Sequence, residues 1–415
     1  MTKVYFCLFL FLLLVPPVQA WDFCVPNEDG VMLYYNIVSE DEQSCEVAYC
    51  HHASYICDIL TIPEMVILNR GNRDFGDPDT LMKVIGIGDW AFRYYCDPDG
   101  VEPYNLHSDF NIIKLPYGLS YIGESAFRGS GVQQIVWPEN NEWFYSIGEC
   151  AFFMSALKSI KIPKTTEEIG PSAFDTCVIL SQVEFEEGNE KLTYLPEKCF
   201  YRCPALKEVR LCSSIAEIGN RAFMYCRNLS TVKFAEGLKT IGEYAFSQCI
   251  RLDAPRLPDG LQFLKTSAFG GHRTWQSLEL PETIWDIGEY ALSSDRGLRI
   301  INLYVRKKTA PYCVSPYSLG TYLWDDKTRN YTDTRITETK LYVPIGCIDE
   351  YATTYPWNRF VFIAAYDPAG IEQVRISKPQ PEGVFSLDGR RLIKTQKGLN
   401  IIRYKDGTAK KVVVK

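Results

Sequence analysis

A block of apolar positions spaced Ile-Gly-x-x-Ala-Phe recurs along most of the chain, as in IGEYAF at residues 241–246. Aligning the copies on their last residue gives Phe92, Phe127, Phe152, Phe174, Phe200, Phe223, Phe246 and Phe269, with Leu292 in the final place. The intervals are 35, 25, 22, 26 and then four of 23 residues. A period in this range marks stacked coils, each too small to bury its own apolar side chains. A second block follows in each unit: LKSIKIP (157–163), LKEVRL (206–211), LSTVKF (229–234) and LDAPRLP (252–258). Its last two apolar positions flank an outward one, which predicts a short strand with one buried face. Pro163, Pro258 and Pro281 end such strands, because proline cannot donate to a ladder.

The period assigns roles inside the first block. Gly148, Gly170, Gly219, Gly242 and Gly288 hold the repeat glycine position, where Gly242 is expected to take a backbone conformation closed to other residues. Ala245 is small where coils pack closely, and Phe246 fills the space between them. Cys177, Cys203, Cys226 and Cys249 each fall three residues after the repeat Phe, so they form a column, one per coil. A metal or redox ladder is one reading of that column. Small buried hydrophobes are the favoured one, since free cysteine packs well in cores. A disulfide between neighbouring coils is also conceivable at strand spacing.

The stretch IGEYAFSQCIRLDAPRLPDGLQFL (241–264) resembles the BspA-type leucine-rich repeat of secreted and surface proteins from Bacteroides-like bacteria, and the likeness extends over residues 56–365. The ending LYVPIGCIDEYATTYPWNRFVFI (341–363) is similar to the closing unit of such arrays. The resemblance implies a right-handed leucine-rich-repeat solenoid of short parallel strands and short helical or irregular turns. It also implies an adhesin-like function on host or neighbouring-cell molecules, and a cysteine column that is merely buried. After the linker ISKPQPEG, the segments VFSLDGRRLI and IIRYKDGTAKKVVVK read as two hairpins with Asp-Gly turns. They make a small antiparallel β module that resembles a C-terminal sorting or secretion module; a further cap is the other reading. The expected organisation is a signal peptide at 1–20, an N-terminal cap at 21–60, the solenoid at 61–365, a linker at 366–382 and the β module at 383–415.

Composition changes this picture at the two ends. Residues 1–20 join Lys3, an apolar run from Val4 to Val15, Pro16-Pro17 and a small-residue end. That pattern predicts a secretory signal peptide cleaved after Ala20, so the protein is exported, either secreted or on the outer cell surface. No later apolar run reaches spanning length, so no transmembrane anchor is expected. Cys7 falls in the leader, which leaves fourteen of the fifteen cysteines. Four of these, Cys24, Cys45, Cys50 and Cys57, cluster in the cap with His51 and His52 beside them. Disulfides are the favoured reading for an exported cap, ahead of free thiols or a structural metal site. The C-x4-C-H-H-x4-C spacing lacks the paired C-x2-C knuckles of zinc modules.

Candidate chemistry is sparse. The four histidines are His51, His52, His107 and His272, and no H-E-x-x-H, G-x-S-x-G or P-loop motif is present. No catalytic residue, cofactor or metal is assigned, and a formal charge of −7 argues against nucleic acid as a general partner. The outward strand position offers more. It runs Lys114, Val136, Lys161, Glu184, Arg210, Lys233, Arg256, Glu279, Asn302, placing Arg210, Lys233 and Arg256 on consecutive coils. Like charges at strand spacing repel, so the stripe suits an extracellular protein or an acidic glycan. A second candidate is the irregular stretch 311–334, where Tyr317, Tyr322 and Trp324 could stack on sugars or anchor a protein; alternatively these aromatics cover the last coil.

Overall fold

The computed structural model describes residues 21–50, 55–68, 80–93, 108–139, 141–294, 297–298, 300–319, 322–325, 330–333, 336–368 and four strands within 381–414. The leader at 1–20 lies outside these residues. The repeats form a parallel β-solenoid with two ladders. One is built from the strands that open each Ile-Gly block: Thr80–Ile87, Tyr121–Ile122, Ser146–Ile147 and Glu168–Ile169, then Tyr194–Leu195 through Tyr312–Cys313. The other is built from the second block, with Ser159–Ile162, Gln182–Phe185, Glu208–Arg210 and Thr231–Lys233 paired in parallel. It resumes at Trp275–Leu280, Ile300–Val305, Ile336–Pro344 and Phe360–Tyr366. Helix is scarce among the described residues, with one α-helix, Ile348–Thr353.

Between the ladders runs a single aromatic stack. Phe92 to Phe269 are buried, and successive rings sit parallel, as in Phe127 on Phe152 at 5.0 Å and 2° or Phe246 on Phe269 at 5.4 Å and 12°. Trp275 closes the stack edge-on at 5.6 Å from Phe269. Each coil is tied to the next by the backbone: Phe223 N–H donates to Ala245 O and Phe246 N–H to Ala268 O, both at 2.8 Å. Truncating one such ring removes contacts above and below, which costs about 3–5 kcal/mol.

The repeat glycine does a different job from the one expected. Gly242 is not in the left-handed region; a Cβ there would meet Ile218 O at 2.7 Å and the Gly219 carbonyl carbon at 2.8 Å, in the coil before. Its hydrogen is required by close approach of two backbones. The left-handed residues are instead two positions before the repeat Phe, at Trp90, Ser125, Cys150, Ser172, Lys198, Arg221, Tyr244, Ser267 and Tyr290, and two positions after it in most coils, as at Met154, Thr176, Arg202, Tyr225 and Gln248. There the turn aims the amide at the next coil, and Tyr244 N–H reaches Thr266 O at 2.8 Å. That hydrogen bond, about 1 kcal/mol, offsets a left-handed cost of about the same size.

The cysteine column is buried, and its thiols donate along the solenoid. Cys177 Sγ reaches Phe152 O at 3.0 Å, Cys203 reaches Phe174 O at 3.1 Å, Cys226 reaches Phe200 O at 3.0 Å and Cys249 reaches Phe223 O at 3.1 Å. Burial pushes the thiols of Cys177 and Cys226 up to about 12, so they stay protonated. In the next coil His272 takes the place of the thiol, stacked on Trp275 at 3.8 Å with Nε2 3.2 Å from Leu292 O.

Within residues 21–60, expected as an N-terminal cap, Phe23–Pro26, Met32–Ser39 and Ser44–Val47 form an antiparallel meander whose last strand runs parallel to Thr80–Ile87. Cys24, Cys45, Cys50 and Cys57 are free, against the disulfides favoured from the sequence. Strand register gives the reason for one pair. Cys24 lies beside Tyr34 and Cys45 beside Ile37, so they are two strands apart and three residues out of step, beyond disulfide reach. At the other end, Pro381–Phe385, Arg391–Leu392, Gly398–Tyr404 and Ala409–Val414 form a four-stranded antiparallel sheet.

Candidate functional site

The second-block ladder buries every other side chain and turns the rest outward. Val183, Val209 and Val232 point in; Glu184, Arg210 and Lys233 point out. Glu184 stands directly across from Arg210, and Arg210 from Lys233. Arg256 follows on the next coil, but not on a strand: Pro255 fills the inward slot and lacks an N–H, so residues 252–258 leave the ladder. This is where the ladder breaks between Thr231–Lys233 and Trp275–Leu280.

A concavity of about 840 Å³ lies on this face and reaches the break at Arg256 and Pro258. Arg210, Lys233 and Arg256 line it together with Glu184, Glu186, Glu187 and Glu236. Glu186 is held by Lys161 Nζ at 3.0 Å, outside the hollow, and the three cations themselves are only loosely paired. Lys233 Nζ is 3.6 Å from Glu208, with both side chains well exposed, a contact worth a fraction of a kcal/mol. Among the described residues neither Arg210 nor Arg256 has a carboxylate within ion-pair distance. A neighbouring hollow continues past Arg256 to Glu279 and Arg306. Burial raises the Glu279 carboxyl, partly opposed by the Arg306 guanidinium 3.7 Å away.

The outward column needs one correction beyond this point. Glu279 pairs laterally with Tyr304, whereas Asn302 stands across from Ser277. Two extra residues in that coil shift the register, so the position expected for Asn302 belongs to Tyr304. Past it the face turns aromatic: Tyr304 stacks on Tyr342 at 4.6 Å and 12°, and Phe362 lies 5.9 Å beyond.

The aromatic stretch 311–334 is not part of this face. Tyr312–Cys313 extends the other ladder, and Tyr317, half-buried, leans on Tyr290 at 5.3 Å. Tyr322–Asp325 pairs antiparallel with Asn330–Asp333, Trp324 opposite Tyr331; the side chains of Tyr322 and Trp324 lie outside the described residues. The structure also shows an aromatic surface not expected from the sequence, at Trp143 and Tyr145 on the Ile-Gly ladder. Its signal was the triplet Trp143-Phe144-Tyr145, in which only Phe144 belongs to the core.

The family described as "BspA type leucine rich repeat region" matches residues 104–230 and 193–309, in six copies. The repeats are of the BspA type. Among solved structures, a leucine-rich repeat protein from Bacteroides ovatus is 17% identical over 83% of this chain and 77% of its own, with a TM-score of 0.45. The pneumococcal vaccine antigen PcpA is 15% identical over 84% of this chain and 99% of its own, at 0.36. A leucine-rich cell surface protein from Faecalibacterium prausnitzii is 17% identical over 68% and 95%, at 0.31. No curated protein matches the sequence. The matched residues include the Phe stack from Phe127 to Phe269, the close-approach glycines from Gly148 to Gly288 and the buried cysteine column. Among the described residues no helix is long and apolar enough to cross a membrane.

Proposed function

We propose that this is an exported, non-catalytic binding protein, delivered by the leader at residues 1–20, that docks an extracellular protein in the concavity around Arg210, Lys233 and Arg256. One observation carries the reading: a hollow on the outward strand face holds three consecutive cations, two of them without an ion-pair partner among the described residues. The four carboxylates around it decide the class of ligand. A polyanionic glycan would meet Glu184, Glu186, Glu187 and Glu236 as repulsion, whereas a protein surface carrying both signs complements them. Rigid stacked coils keep this arrangement fixed, so little ordering opposes binding.

The test is to immobilise residues 21–415 and pass matrix proteins, mucins and polysaccharides over them at low and high salt. Capture of a protein that weakens steeply with salt is the expected result, since exposed charges are screened. Capture of polysaccharides alone, or protein capture indifferent to salt, would overturn it.

A further inference from the structure

Just before the Ile-Gly ladder strand Ser146–Ile147, two aromatic side chains are displayed to solvent beside a half-buried third, Tyr121. Trp143 is 57% exposed and Tyr145 is 46% exposed. Tyr145 sits between coils, its N–H on Ser120 O and its carbonyl accepting from Glu167, both at 2.8 Å. Tyr121 lies 6.5 Å from it, ring to ring, at 50°. This second tyrosine is built into place. Its ring occupies the space over Gly86, where a Cβ would come within 2.3 Å of it, and its hydroxyl donates to Glu46 Oε2 at 2.5 Å. Asn36 Nδ2 donates to the other oxygen of Glu46 at 3.3 Å. Lys83 Nζ stands 5.3 Å from the centre of the Trp143 ring.

The chemistry around these rings narrows what could use them. A surface made to bind protein by burial would add Leu, Ile or Val; here the neighbours on the ladder are Ser120, Ser146, Glu167 and Glu168. Aromatic faces bordered by carboxylate, amine and hydroxyl groups match a molecule with apolar C–H faces and hydroxyls around its rim. The charges around the rings are mixed in sign, with Lys83 against Glu46, Glu167 ion-paired to Lys191, and Glu168, so the site does not select an anion. We propose that the tilted pair Tyr145 and Tyr121, with Trp143 two residues before Tyr145, binds a neutral oligosaccharide by stacking, with Glu46 and Lys83 as hydrogen-bonding groups at its edge. The site is separate from the charged concavity, which lies on the other ladder, and it does not depend on that reading.

Affinity electrophoresis of residues 21–415 in gels containing dextran, a β-1,3-glucan, mannan or xylan tests this. At least one should retard the protein equally at low and high salt. Trp143→Ala with Tyr145→Ala should weaken the retardation at least tenfold without moving the unfolding midpoint, because both rings are exposed. Tyr121→Phe, which frees the ring from Glu46, should weaken it less. Reversing Arg210, Lys233 and Arg256 to Glu should leave it unchanged. Absence of retardation in all four gels, retardation that survives the double substitution, or retardation abolished by salt would each overturn the proposal.

Discussion

The coils from Phe152 to Phe269 and those from Trp275 to Tyr366 stack in the same way but are held differently. In the first group the interior is repetitive: parallel phenylalanines, thiols donating to carbonyls one coil back, and strands of two to four residues. In the second, the strands of the second-block ladder lengthen to between six and nine residues, while the other ladder keeps two-residue strands, and single large side chains replace the columns. Trp357 Nε1 donates to Pro311 O at 2.9 Å, and the Tyr351 hydroxyl to Lys307 O at 2.7 Å. The outward face changes with it, from charged at Arg210 and Lys233 to aromatic at Tyr304 and Tyr342. A periodic interior leaves the outward positions free to vary, while a closing unit must satisfy an end that no further coil covers.

Substitution inside the stack should expose this contrast most sharply. Phe223→Ala is expected to cost about 3–5 kcal/mol, read from denaturant unfolding, because it loses the rings of both neighbours. Tyr342→Ala, which is partly exposed, should cost well under half as much. Equal losses would mean that the columns are no more central to stability than the closing coils.

Alkaline pH should act on the thiol column next. For a buried thiol whose folded value is raised to about 12 from an ordinary 9, the unfolded chain loses its proton first as pH rises. Stability from Cys177 and Cys226 is therefore complete below pH 9 and drains away between 9 and 12. The slope is about 1.4 kcal/mol per pH unit for each thiol. Replacing both by Ala should flatten that slope while lowering stability at neutral pH. An unchanged slope would contradict the burial argument.

Glycine tests the smaller contacts. Gly242→Ala places a methyl group against backbone atoms of the previous coil at under 3 Å and should cost about 1–3 kcal/mol, as overpacking does. Gly188, left-handed at φ +83° with nothing near its missing Cβ, should cost about 1 kcal/mol on the same change. The reverse order would restore the turn-conformation account of the repeat glycine. Smallest of all, Glu208→Ala should change stability by under 1 kcal/mol, since its pairing with Lys233 is exposed.

These particulars also mark how far the sequence could be read. The period identified the coils, the inward and outward alternation and the buried place of the cysteines, because each repeats one local choice many times. It misread Gly242, since a glycine demanded by close approach and one demanded by φ look alike until the neighbouring coil is positioned. It placed Asn302 where Tyr304 stands because two inserted residues shift the register without disturbing the apolar pattern. It did not show that Pro255 breaks the ladder beside the concavity, nor that Trp143 and Tyr145 flank a buried Phe144 with both rings outward. Each of these depends on contacts between coils, which a one-dimensional period does not carry.

The most direct measurement concerns the charged concavity. Residues 21–415 and the variant carrying Arg210→Glu, Lys233→Glu and Arg256→Glu should be compared for binding to the protein captured at low salt, with thermal unfolding followed in the same samples. At least a tenfold weaker affinity with an unchanged unfolding midpoint is the predicted result. Unchanged affinity would contradict the assignment of binding to this face.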